Sequence, residues 1–147
     1  MSSEHTLITS VTPALVDGEK TSPLYASRPA AGFPSPGDDL VERPLDLNDL
    51  LVDNPTATFF VKVSGDSMEG ARIFDGDILV VDRSIEAKSG LIVVAAVYGE
   101  LVVKRLLKTD LGLSLVSENE NYEPIVIDDT EGCYIWGVVT GSARVLL

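Results

Sequence analysis

The chain has 147 residues, of which 45% are hydrophobic, and its formal net charge is −12 at pH 7. This length and composition are typical of one globular domain with a sizeable core. The acidic balance argues against direct nucleic-acid binding, because phosphate recognition needs clustered Lys and Arg and the densest cluster is the short run 104–108. A single cysteine, Cys133, excludes an intramolecular disulfide.

No membrane or secretory segment is predicted. The longest apolar run, residues 91–97, is far shorter than the roughly 20 residues that a membrane helix needs. The first ten residues contain no basic region followed by a hydrophobic stretch, which a secretory signal requires. The expected location is therefore the cytoplasm.

Residues 1–40 are predicted to form an extended amino-terminal arm. Five prolines interrupt this stretch, and proline neither donates to a sheet ladder nor continues a helix. Apolar residues such as Leu15 and Phe33 are available to dock the arm on a surface. After the arm, the leucines at 47, 50 and 51 have helical spacing and Asp46 suits an amino-terminal cap, which predicts one short helix.

Residues 41–147 are predicted to form a β-rich domain. Short runs of aromatic and β-branched residues are typical of strands, and turn residues separate them. The predicted strands cover residues 59–63, 78–81, 92–97, 101–106, 113–116, 125–127, 133–140 and 143–147. Many short strands at close spacing predict a mostly β, compact and partly closed fold.

Ser67 and Lys104 form the candidate catalytic pair. Ser67 lies in the glycine-bearing turn 64–68, and Lys104 lies in the apolar run 102–107. The only histidine, His5, lies in the arm, so a serine–histidine–acid triad would have to recruit the arm. Apolar neighbours disfavour the ammonium form of a lysine, and a neutral lysine can activate a serine. The backbone amides of Asp66 and Ser67 are candidates for stabilising an oxyanion.

The local pattern also has simpler readings. A serine in such a turn is usually a turn residue, and a lysine in a strand often protects a sheet edge. Asp75 and Asp77 flank Gly76, but this spacing fits a β-turn and matches no calcium loop. No metal or cofactor is therefore predicted.

Several segments together resemble the LexA/UmuD family of self-cleaving serine peptidases. The resemblance covers about residues 30–147, and the segments that carry it agree in order and spacing. They are residues 32–36, 46–51, 54–62, 64–68, 75–77 and 102–106. One departure is Arg72, which stands where relatives commonly have glycine.

The resemblance implies a fold of the LexA carboxy-terminal type and a catalytic role for the candidate pair. Ser67 would be the nucleophile, Lys104 its general base, and Ala31–Gly32 the bond that is cut. Small residues at this bond suit a narrow cleft.

The resemblance also implies a role in the SOS response to DNA damage. A RecA–single-stranded-DNA filament would stimulate cleavage. The fragment that begins at Gly32 would then act, as a homodimer, with a UmuC-like translesion DNA polymerase. Two alternatives stay open: a non-catalytic β-rich binding module of the same fold, and the cleavable regulatory half of a repressor.

Overall fold

The computed structural model describes residues 5–15, 40–110, 112–119, 122–127 and 132–147. Within these ranges the chain forms one short α-helix, eight strands and two 3-10 turns, at Pro55–Ala57 and Glu69–Ala71. In chain order the helix and strands are β1 (Leu7–Pro13), α1 (Leu47–Leu51), β2 (Thr58–Ser64), β3 (Ile78–Asp82), β4 (Ile92–Val97), β5 (Glu100–Thr109), β6 (Gly112–Val116), β7 (Ile125–Val126) and β8 (Tyr134–Ala143).

Six of these strands close into an antiparallel barrel. The strand order is β1-β2-β3-β8-β4-β5-β6-β7, and β1 also pairs with β5, where Leu7 lies opposite Val102. This second pairing of β1 joins the two ends of the six-stranded series. Strands β6 and β7 extend the sheet beyond the closure. The predicted mostly β fold is confirmed.

Two apolar clusters lie on opposite faces of this sheet, because successive side chains along a strand point to alternate sides. The cluster inside the barrel includes Val61, Met68, Leu79, Val94 and Val103. The outer cluster includes Val93, Val102, Leu106, Leu115 and Cys133. Both faces of β4 and β5 are thus covered, which explains why their sequences read as nearly continuous apolar runs.

The predicted helix and its cap are confirmed. The backbone N–H of Asn48 donates to the carboxylate of Asp46 at 2.8 Å, which satisfies one of the free donors at the start of α1. In the ranges that the structure describes, no helix is long and apolar enough to cross a bilayer.

Two strand predictions differ from the structure. The sequence predicts separate strands over 133–140 and 143–147, but β8 is one continuous strand, and residues 144–147 lie outside any strand. A register irregularity opposite Val80 and Val81 accommodates an extra residue in β8 without ending it. The sequence also predicts no strand in the arm, where β1 forms. Residues 9–13 of β1 are exposed, so the strand carries little of the alternation that would reveal it.

Candidate active site

Ser67 lies in a turn that follows β2, and its side chain is completely buried. Gly65 begins the turn with a φ of 108°, a conformation that glycine adopts without strain. Met68, also fully buried, packs into the cluster inside the barrel. The residue beside Ser67 therefore fixes the position of the turn against the core.

The two aspartates of the turn at residues 75–77 have different partners, and only Asp75 contacts the Ser67 turn. The carboxylate of Asp75 accepts from the backbone N–H of Gly65 at 3.1 Å. The carboxylate of Asp77 accepts from the N–H of Phe74 at 2.9 Å and from Nε of Arg144 at 2.7 Å. The hydrogen bond from Arg144 lowers the pKa of Asp77, although burial opposes this. These carboxylates therefore act as turn acceptors, as the sequence predicts.

Lys104 lies on β5, and only 1% of its surface is exposed. It follows Val102 and precedes Leu106, which both belong to the outer cluster. Its Nζ donates to Oγ of Ser117 and lies 2.9 Å from Nδ1 of His5. Burial lowers the pKa of Lys104 from 10.5 to about 8. A large fraction of its amine is consequently neutral at mildly alkaline pH, as a general base requires.

The start of the arm lies across both candidate residues. The backbone N–H of Thr6 donates to Oγ of Ser67 at 2.8 Å, and the Ser67 hydroxyl donates to Oγ1 of Thr6 at 2.9 Å. The preceding residue, His5, contacts Lys104. Consecutive arm residues thus contact Ser67 and Lys104, so both candidate residues lie beneath the same short segment of the arm. In the part of the chain that the structure describes, they form no direct hydrogen bond with each other.

His5 and Ser117 are site residues to which the sequence assigns no role. Arg105 lies opposite Val116 in the β5–β6 pairing, so the next pair in register is Lys104 and Ser117. Counting the register of the β5–β6 hairpin from the sequence would therefore have predicted that Ser117 lies opposite Lys104. For His5 no such signal exists, because 99 residues separate it from Lys104.

The ring of His5 is in contact with Tyr122 as well as with Lys104. The His5 and Tyr122 ring centroids lie 4.6 Å apart. Partial burial, and then the charge of Lys104, lower the pKa of His5. A neutral imidazole beside Lys104 avoids a second cation at the same site.

Asp66 fixes the outer side of the turn. Its carboxylate accepts from the Tyr122 hydroxyl at 2.9 Å, and its carbonyl accepts from the side-chain amide of Asn119 at 3.3 Å.

A cleft of about 630 Å³ lies beside Lys104. Its lining consists of His5, Val97, Tyr98, Glu100, Val102, Lys104, Pro124 and Ile125. Ala31 and Gly32, the predicted cleavage site, lie outside the described residues.

Arg72 ends the Glu69–Ala71 turn in the left-handed conformation, with a φ of 63°. A side chain in this conformation costs about 1 kcal/mol, which glycine avoids. We expect Arg72→Gly to raise the free energy of unfolding by up to about 1 kcal/mol, measured by thermal melting. Arg43→Gly is the control, because Arg43 is exposed and has no positive φ. Equal melting temperatures in the two variants would contradict this account.

Comparison with known proteins identifies the family. Residues 23–140 match the family model described as Peptidase S24-like. Protein MucA of Salmonella typhimurium is 48% identical over 121 residues, which are 82% of this chain and 82% of that protein. Protein ImpA of Salmonella typhimurium is 43% identical over 125 residues, 84% of each chain. The LexA repressor of Thiobacillus denitrificans is 39% identical over 116 residues, 78% of this chain and 58% of that protein.

These matches confirm the resemblance to self-cleaving peptidases, and the matched region contains both Ser67 and Lys104. The chain is an autoproteolytic serine peptidase of the LexA/UmuD type. It is UmuD-like, an accessory subunit of SOS mutagenesis that cleaves itself. By its sequence and its barrel, the chain belongs to the Peptidase S24-like family.

Proposed function

We propose that Ser67 cuts the chain's own Ala31–Gly32 bond, with neutral Lys104 as its general base. One observation supports this most directly: an extended segment of the arm already lies beside β5, with adjacent residues on Ser67 and on Lys104. A cleft that accepts one strand of the chain in this way suits a peptide substrate. The buried amine with its pKa of about 8 supplies the base.

The reaction proceeds in two steps. Lys104 removes the hydroxyl proton as Oγ of Ser67 bonds to the carbonyl carbon of Ala31, and the backbone amides of Asp66 and Ser67 stabilise the oxyanion. The ammonium of Lys104 then gives that proton to the nitrogen of Gly32, and the carbon–nitrogen bond breaks. In the second step Lys104 deprotonates a water molecule that attacks the acyl carbon, and the ammonium of Lys104 returns this proton to Oγ of Ser67 as the ester bond breaks. The products are a carboxylate at Ala31 and a new amino terminus at Gly32.

The fragment from Gly32 then acts in the cytoplasm as a homodimeric accessory subunit of a UmuC-like translesion polymerase. A RecA–single-stranded-DNA filament stimulates cleavage by binding the form in which the cleavage segment is docked. Similarity to MucA and ImpA supports these partners at the level of the family. The net charge of −12 favours contact with proteins over contact with DNA phosphates.

The pH dependence of self-cleavage tests the proposed chemistry. Since Lys104 has a pKa of about 8, the rate is expected to rise about tenfold per pH unit below pH 8 and to level off above about pH 9. The measurement is the intact mass of the purified full chain and its fragments after incubation between pH 6 and 10. Fragment masses also locate the cut.

Two results would contradict this proposal. A rate that does not change with pH would exclude Lys104 as the base. A chain that stays intact at every pH, even with the RecA filament, would favour the non-catalytic binding module. The contact between Ser67 and Thr6 is compatible with that reading as well, because a binding module would also hold a strand at this position.

A further inference from the structure

We propose that residues 5–7 of the arm occupy the groove that the cleavage segment must enter, and so hold the peptidase closed. This inference rests on the proposed function of Ser67 and Lys104, and it adds the regulation of their site. The occupant of the groove is therefore residues 5–7 of the same chain, which lie upstream of the predicted Ala31–Gly32 bond.

The contacts of Thr6 block the chemistry of Ser67. An attacking serine must direct its oxygen at the scissile carbonyl and its proton at the base. Here the oxygen accepts from the Thr6 N–H, and the proton is donated to the Thr6 hydroxyl. His5 at the same time contacts the amine of Lys104. With Ser67 and Lys104 at 0% and 1% exposure, neither is accessible to a substrate in this form.

The arm also fills the strand position that a substrate would need. The carbonyl of Thr6 accepts from the N–H of Val103 at 2.9 Å, and Leu7 lies opposite Val102. An extended peptide that docks beside β5 would use these same backbone groups. Because this edge of β5 can pair with only one strand at a time, residues 5–7 and the cleavage segment cannot both bind there.

The closed form can open at the β1–β5 seam while the other strand pairings of the barrel stay intact. The pairing of β1 with β2 changes register between Ile8 and Ser10, which separates the segment in the groove from the rest of the strand. Residues 10–13 pair with β2 alone, so they can stay in place while residues 5–8 leave. The lost hydrogen bonds are worth only about 0.5–1.5 kcal/mol each. A local opening that breaks only these few hydrogen bonds can occur in a protein that otherwise stays folded.

Two variants weaken or remove the binding of residues 5–7 in the groove, and a chemical probe measures the accessibility of Ser67. Thr6→Pro removes both the N–H and the hydroxyl that contact Ser67, and a chain lacking residues 1–7 removes the occupant altogether. Thr12→Ala is the control, because Thr12 is an exposed threonine of β1, the strand that directly follows Thr6. The probe is a small fluorophosphonate that phosphonylates an accessible, activated serine with loss of fluoride, and mass spectrometry follows the labelling.

We expect the Thr6→Pro and truncated chains to label about tenfold faster or more than the wild type, and to cleave themselves faster by a similar factor. Thr12→Ala is expected to match the wild type in both rates. Thermal melting verifies that each variant is folded, and Ser67→Ala gives the background of labelling. The truncated chain keeps the test decisive if proline disturbs β1.

The outcomes separate this inference from the proposed function. Equal labelling in the wild type, Thr6→Pro and the truncated chain would overturn the inference, even if all three cleave themselves. Slower cleavage in the folded variants would also overturn it, since the arm would then assist the reaction. Faster labelling without any cleavage would support the closed arm and would count against the proposed peptidase chemistry.

Discussion

Ser67→Ala and Lys104→Met are each expected to lower the rate of cleavage at Ala31–Gly32 by about a thousandfold or more. The first change removes the oxygen of the proposed nucleophile, and the second removes the amine of the proposed base. Because the two groups act as a unit, the double variant is expected to be little worse than either single variant. The measurement is the fraction of intact chain against time at pH 9, by mass spectrometry.

Lys104→Met also separates a chemical effect from a structural one. The pKa of Lys104 is about 8 in the folded protein and 10.5 as the ordinary value, so the unfolded chain binds more protons between these pH values. Burial of the lysine therefore destabilises the protein most below pH 8, and this cost falls as the pH rises towards 10.5. Lys104→Met should consequently melt at a higher temperature than the wild type at pH 7, and this advantage should shrink towards pH 10.

Lys108→Met is the matched control, because Lys108 lies on the same strand and is exposed. It should cleave itself and melt like the wild type. If Lys104→Met kept its cleavage activity, Lys104 could not be the base. If it lost activity because it melted at a much lower temperature, the lysine would be structural.

Gly70→Ala is expected to damage both stability and cleavage, because the Ser67 turn packs directly against the segment after β6. The N–H of Gly70 donates to the carbonyl of Glu118, and the N–H of Glu118 donates to the carbonyl of Ser67, both at 2.9 Å. A methyl group at Gly70 would overlap the Glu118 carbonyl oxygen, which is backbone and has little room to move. Ser117, the partner of Lys104, immediately precedes Glu118.

The added methyl group must therefore push Ser67 and Ser117 apart. We expect a loss of about 1–3 kcal/mol in the free energy of unfolding. We also expect cleavage to slow about tenfold to a hundredfold, because small displacements of catalytic groups are costly. Chemical denaturation and the cleavage assay at pH 9 measure the two effects.

Gly141→Ala is the control, since its nearest neighbour is the flexible end of the Leu51 side chain at 3.3 Å. This variant should cleave itself at the wild-type rate. A Gly70→Ala chain as stable and as active as Gly141→Ala would show that the contact between the two segments does not position the site.

Much of the barrel was predictable because its strands are short, apolar and separated by turn residues. Apolar clusters cover both faces of β4 and β5, so the sequences of these two strands are continuously apolar. They are recognisable as strands without knowing which strands they pair with. β1 was not predictable, because most of its side chains are exposed and its pairing with β2 and β5 spans distant parts of the chain. Closure of the barrel depends on that unpredicted strand.

The candidate site was predictable to a similar degree. The turn around Ser67 and the apolar context of Lys104 are local features, and the burial expected from that context is present. The contacts of His5 and Thr6 depend on tertiary structure, since 61 residues separate Thr6 from Ser67. A local pattern therefore identifies which groups can react, whereas only the fold reveals what covers them.

The position of β1 before the predicted cut has a consequence for the product. β1 is one of the six strands that close the barrel, yet hydrolysis at Ala31–Gly32 would sever it from the other five. An intramolecular contact would then become a bimolecular one, subject to mass action. Dilution or proteolysis of the released peptide would favour its dissociation and leave unpaired backbone along β2 and β5. Processing would in this way convert a structural strand into an exchangeable ligand.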